Sequence, residues 1–67
     1  MPKDVGIRLK ELRKNAGYTL EYVGKAIGVT RATVQRYESG EIKNIPWGKI
    51  VKLSILFHVS VAFILGW

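Results

Sequence analysis

The sequence predicts an all-α fold of five short helices, and three observations predict it. Apolar residues recur three and four positions apart rather than alternately, which is the spacing of one helix face. Asp4, Thr19, Thr30 and Ser60 stand immediately before these runs, where a side-chain oxygen takes up a free helix N–H. Gly17, Gly28 and Gly40 stand immediately after them, where the chain must leave the helix. The 67 residues make a single domain, 1–67. A domain of this size buries only about 60% of its unfolded surface, which leaves no room for an enclosed active site beside a core. The absence of cysteine excludes a disulfide framework and a thiolate zinc site, and the lone His58 excludes most histidine-based catalytic and metal sites. No cofactor, metal or small-molecule substrate is therefore expected. With 11 Lys+Arg against 5 Asp+Glu the net charge is +6, which calls for an acidic partner, nucleic acid first and a membrane surface second.

The first helix runs from its cap at Asp4 to Ala16, with Val5, Leu9, Leu12 and Ala16 on one stripe. Arg8, Lys10, Glu11 and Lys14 are expected away from it, and Arg13 at its edge. Thr19 caps the second helix, whose inner face is Leu20, Val23, Gly24 and Ile27, with Glu21 and Lys25 paired outside. A glycine inside a helix costs roughly 1 kcal/mol against alanine. Gly24 on the inner face thus implies the close approach of another helix, the other reading being a tolerated surface glycine. Thr30 caps the third helix, which continues to about Ser39. Val34 and Tyr37 anchor it, Glu38 lies toward the inside, and Ala32, Gln35, Arg36 and Ser39 point outward with Arg31 flanking them.

Residues 40–46 form a loop with Lys43 and Asn44 exposed. The fourth helix starts near Pro46, which suits a first turn, without an evident cap. Ile50, Leu53, Ser54 and Phe57 make its core stripe, and Val51 and Ile55 a second apolar face. His58 falls at its C-terminal end, where it serves the last carbonyls rather than a metal. Ser60 caps a short last helix, Val61 to Leu65. Trp47, Trp67 and the tyrosines are expected to pack in the core or against loops, with a phosphate contact the lesser reading for Tyr22.

Two short helices joined at Gly28-Val29-Thr30, the second polar on its outer face, form a helix-turn-helix pattern. Over residues 17–40, GYTLEYVGKAIGVTRATVQRYESG, the chain resembles the phage-repressor/Cro type of helix-turn-helix DNA-binding domain, the lambda-repressor-like fold. Helix order and spacing extend the resemblance to the whole chain. The pattern has its own physical reasons. Gly24 lets the two helices cross, Gly28 supplies a positive φ, and Val23, Ile27 and Val34 hold the pair together. Arg31 and Arg36 are placed to read guanine through the bidentate fork, Ala32 to touch a thymine methyl, and Gln35 is a further base reader. Thr19 and Thr30 at helix starts, Thr33, Lys43 and Asn44 are placed to hold phosphate, contacts that position the protein without reading sequence.

The resemblance implies sequence-specific binding of double-stranded DNA by a cytoplasmic transcriptional regulator, a phage or prophage-type repressor. It also implies that Arg13 pairs with Glu38, tying the first helix to the third. Three positions depart from the family pattern: Leu20 where glutamine often braces the reader helix, Gly24 for alanine, and Ala62 for an acidic residue. The apolar stretch 50–67 exceeds what one stripe needs. It is read as a homodimer interface through Val61, Phe63 and Trp67, compatible with a cover for a further domain in a longer repressor. It is too short and too interrupted for a membrane span, which needs about 20 residues. No secretory leader is expected from the opening residues. The alternative function is a protein-interaction module of the same fold, for example one that binds a toxin. Arg31 and Arg36, with no acidic neighbour expected on their face, favour DNA. An enzyme is not expected, because Glu11, Glu21 and Glu41 share no site.

Overall fold

The computed structural model describes residues 4–67; the opening residues 1–3, on which the leader reading partly rests, lie outside it. Among the described residues there are five helices and no strand: α1 (Val5–Ala16), α2 (Leu20–Ile27), α3 (Arg31–Ser39), α4 (Trp47–Phe57) and α5 (Val61–Leu65). Local side-chain chemistry sets most of the boundaries. Asp4, Thr19, Thr30 and Ser60 each accept from a backbone N–H two or three residues ahead, at Gly6, Tyr22, Thr33 and Phe63. The start of α4 differs: Pro46 occupies the cap position and offers no side-chain hydrogen bond. At the other end of α4, His58 takes the left-handed conformation (φ 58°) that glycines take at the ends of the other helices. Its backbone N–H donates to the Ile55 carbonyl at 3.3 Å.

The core is shared by all five helices: Leu9 from α1, Val23 and Ile27 from α2, Val34 and Tyr37 from α3, Ile50 and Leu53 from α4, and Ile64 from α5. Helices α2 and α3 pack on each other, and α1 packs across α3. That second crossing is close. A Cβ on Gly6 would strike the Tyr37 and Glu38 carbonyl oxygens and lie 2.8 Å from the Glu38 carbonyl carbon. Only a residue without a side chain lets α1 lie there.

Three expectations about burial are corrected. Arg8, expected at the surface, is 9% exposed, and its Nε donates to the Ile64 carbonyl at 3.2 Å, joining α1 to α5. Ala16, expected on the apolar stripe, is exposed, because α1 runs past the core at its last turn. Of the rings expected in the core or against loops, Trp47, Trp67 and Tyr22 are 61%, 85% and 51% exposed, so none of the three is in the core, and Tyr22 packs on the Tyr18 ring at 4.5 Å between centroids. Tyr37 is the one ring in the buried core, and the aliphatic residues of α1, α2, α3, α4 and α5 fill the rest of it. No helix among the described residues is long and apolar enough to cross a membrane.

Candidate nucleic-acid interface

Helix α3 is held from behind and open in front. Its inner face, Val34, Tyr37 and Glu38, is buried, while Arg31, Ala32, Gln35 and Arg36 are exposed and Thr33 is half-buried. Four devices hold it in place. In the turn, the Gly24 carbonyl accepts from both Gly28 N–H and Val29 N–H at 2.8 Å. Gly28 has φ 84°, which a side chain would strain. A Cβ on Gly24 would lie 2.7 Å from the Val29 carbonyl oxygen, so the close approach is to the turn leading into α3. Thirdly, Lys49 of α4 donates through Nζ to the Ile27 carbonyl at 3.1 Å, satisfying a helix-end acceptor and adding positive charge where the α2 dipole is negative.

The fourth device is ionic. Arg13 forks onto Glu38, Nε to Oε2 at 2.7 Å and Nη2 to Oε1 at 3.1 Å, and its Nη1 donates to the Tyr18 carbonyl at 3.0 Å. Both side chains are nearly enclosed, at 12% and 6% exposure. The hydrogen bond to Glu38 raises the Arg13 pKa above the ordinary guanidinium range against the opposing effect of burial, and the Glu38 charge adds to the rise. A raised guanidinium pKa contributes stability that is fully present below the unfolded-state value and lost only in strong alkali.

Around α3 the cations face outward. Lys43 and Asn44 are exposed in the 40–46 loop. Thr19 and Thr30 sit at the starts of α2 and α3, where their hydroxyl oxygens accept from Tyr22 and Thr33 N–H groups, and the Thr30 and Thr33 hydroxyls lie 3.0 Å apart. One expectation fails here. Arg36 does have an acidic neighbour: Glu41 Oε2 lies 3.7 Å from its Nε. The loop after Gly40 folds back over the last turn of α3, a reversal that helical periodicity does not show. The outward pair Glu21–Lys25, by contrast, is an open 3.9 Å contact along α2.

Away from this face, Phe63 and Trp67 meet Arg8, Glu11 and Gly66 around one open groove between α1 and α5. Val61 is half-buried and does not line it. Residues that sequence reasoning missed are Lys49, Gly6 and the hydroxyl of Ser39. Lys49 and Gly6 carry no local signal, since each acts on backbone far along the chain, whereas the Ser39 hydroxyl bonds the Arg36 carbonyl only three residues back.

Five helices in this order, with the turn into α3 packed on Gly24 of α2 and α3 bare on its outer side, define a lambda-repressor-like helix-turn-helix domain. The helix-turn-helix family pattern matches residues 9–64, and the chain belongs to that family. It is 41% identical over 59 residues to the uncharacterized HTH-type transcriptional regulator YobD of Bacillus subtilis, covering 88% of this chain and 52% of that protein. It is 32% identical over 62 residues to the HTH-type transcriptional regulator ImmR of the same organism, covering 92% and 48%. The chain thus spans about half the length of these curated relatives. Among solved structures, SinR of Bacillus subtilis, a master regulator for biofilm formation, in complex with DNA superposes with a TM-score of 0.83 at 30% identity, covering 91% of this chain and 97% of that one. The P22 c2 repressor bound to a synthetic operator shares the fold, with a TM-score of 0.85 at 21% identity over 92% of each chain.

Proposed function

We propose that this domain binds double-stranded DNA sequence-specifically and regulates transcription, with α3 lying in the major groove. The observation that carries the reading is the outer face of α3: Arg31, Ala32, Gln35 and Arg36 stand exposed on a helix whose opposite face is locked by Arg13–Glu38 and the core. Arg31 and Arg36 read guanine, Ala32 a thymine methyl, and Gln35 an adjacent base. Thr19, Thr30, Thr33, Lys43 and Asn44 hold the phosphates. Leu20 has no polar group to brace the reader helix, so more of the positioning falls to Lys43 and Asn44.

Two copies pair through the α5 end, with Val61, Phe63 and Trp67 at the contact, and read half-sites about 34 Å apart on a palindromic operator. Exposure of Phe63 and Trp67 supports this, since large apolar groups left in water mark association surfaces. The protein acts in the cytoplasm as a repressor of the phage or prophage kind, by occupying the operator against polymerase or a competing regulator, and not as an enzyme. SinR, 30% identical and solved on DNA, supports DNA binding by this fold.

Selection of binding sites from random duplexes tests the proposal. A palindromic consensus with a guanine in each half is expected, bound more weakly as salt rises. Failure to enrich any sequence refutes the DNA reading, and a single unpaired half-site refutes the dimer.

A further inference from the structure

We infer that Glu41 is a specificity-determining residue, acting as a positioning residue that holds the Arg36 guanidinium in the orientation that reads a base. This rests on the DNA-binding reading above. The chain reversal after α3 brings the acid there, and backbone contacts hold it. The Ile42 N–H donates to the Arg36 carbonyl at 3.1 Å. The Ser39 hydroxyl donates to that same carbonyl at 3.2 Å and accepts from the Glu41 N–H at 3.3 Å. The half-buried Ile42 side chain packs against the core and pins the segment from within. Glu41 is thereby presented to the side chain of the residue whose carbonyl anchors its loop.

Stability does not account for the pair. Arg36 and Glu41 are 52% and 70% exposed, and open ion pairs contribute little to folding. A carboxylate here also repels phosphate, so it weakens binding to every duplex alike. What it supplies is direction. A guanidinium carries its five donors in a rigid planar fork. Glu41 Oε2 lies 3.7 Å from Nε, an ionic contact longer than a hydrogen bond, so it draws that edge of the fork toward the loop and leaves Nη1 and Nη2, a pair that matches O6 and N7 of guanine. An arginine held this way loses less side-chain freedom when it meets the base. It is also kept from swinging onto phosphate, where its charge would be spent on contacts identical in all sequences.

The test uses the intact chain and measures affinity by fluorescence anisotropy at fixed salt. The duplexes are the selected site, its variants at the base pair where Arg36→Ala relaxes preference, and a random sequence. Glu41→Gln is expected to bind the random duplex severalfold more tightly and to lose about fivefold of the guanine preference at that pair. Ser39→Ala, which loosens the Glu41 backbone, moves preference the same way by less. In an Arg36→Ala background, Glu41→Gln leaves preference at that position unchanged. Equal tightening on all duplexes with preference intact overturns the inference and makes Glu41 a bare charge. A preference lost equally in both backgrounds overturns it too, since the effect then bypasses Arg36. A wild-type chain that binds no duplex refutes the DNA reading itself; one that discriminates while Glu41→Gln discriminates equally well refutes this inference alone.

Discussion

Two glycine-to-alanine substitutions, at Gly6 and Gly48, are expected to change stability in opposite directions although both lie in the first turn of a helix. Alanine is the better helix former by about 1 kcal/mol in a helix interior. At Gly48, nothing lies within 4 Å of the added Cβ. The gain there is realised in full, about 0.5–1 kcal/mol at a first-turn site, partly through the unfolded chain. At Gly6 the same methyl meets the Tyr37 and Glu38 carbonyl oxygens. These are backbone atoms of α3, which cannot rotate aside as a side chain would. Overpacking costs about 1–3 kcal/mol, and clashes with fixed backbone put this one at about 2–3, so the net loss after a helix-forming gain of about 1 is about 1–2 kcal/mol. For a domain of this size each kcal/mol moves Tm by about 4–8 °C. Thermal unfolding followed by circular dichroism should therefore show Gly6→Ala melting about 5–15 °C below wild type and Gly48→Ala a few degrees above it. A Gly6→Ala Tm at or above the wild-type value would refute the close crossing of α1 and α3. Because the strain enters α3 at the residues beside the Arg13–Glu38 pair, Gly6→Ala should also weaken DNA binding at temperatures where it remains folded.

The remaining predictions concern single side chains. Glu38→Ala leaves an enclosed guanidinium with only the Tyr18 carbonyl. It is expected to cost about 3 kcal/mol in chemical denaturation, and an unchanged midpoint would contradict the bracing role of the pair. Arg36→Ala should lose about 1–3 kcal/mol on the selected site and relax preference at one base pair, read by competition among duplex variants; equal loss on all sequences would make Arg36 a phosphate contact. Lys43→Ala should weaken all duplexes alike and reduce the slope of log affinity against log salt by about 1. A sequence-dependent effect would instead place Lys43 at a base.

The helices were legible because their ends are local. Thr19, Thr30 and Ser60 reach only three residues ahead, a distance that sequence spacing contains. The outward face of α3 was legible for the same reason, as periodicity assigns Gln35 and Arg36 opposite Val34 and Tyr37. What escaped depends on distant backbone. Arg8 meets the carbonyl of Ile64, 56 residues away, and a charged residue type argues against burial unless its acceptor is known. Glu41 meets Arg36 only because the loop turns back. Gly6 and Lys49 act on carbonyls, which every residue carries and which no sequence pattern distinguishes. That Trp47 stays out of the core escaped as well, because hydrophobicity ranks a ring for burial without asking whether space remains.

Helix α1 reaches two other helices through guanidinium groups, Arg13 on the flank of α3 and Arg8 at the carbonyl end of α5. Four residues lie between them on one helix, so the flank of α3 and the last turn of α5 are fixed to the same short rod. The span from the outer side of α3 to the α5 tip is set like the arm of a caliper.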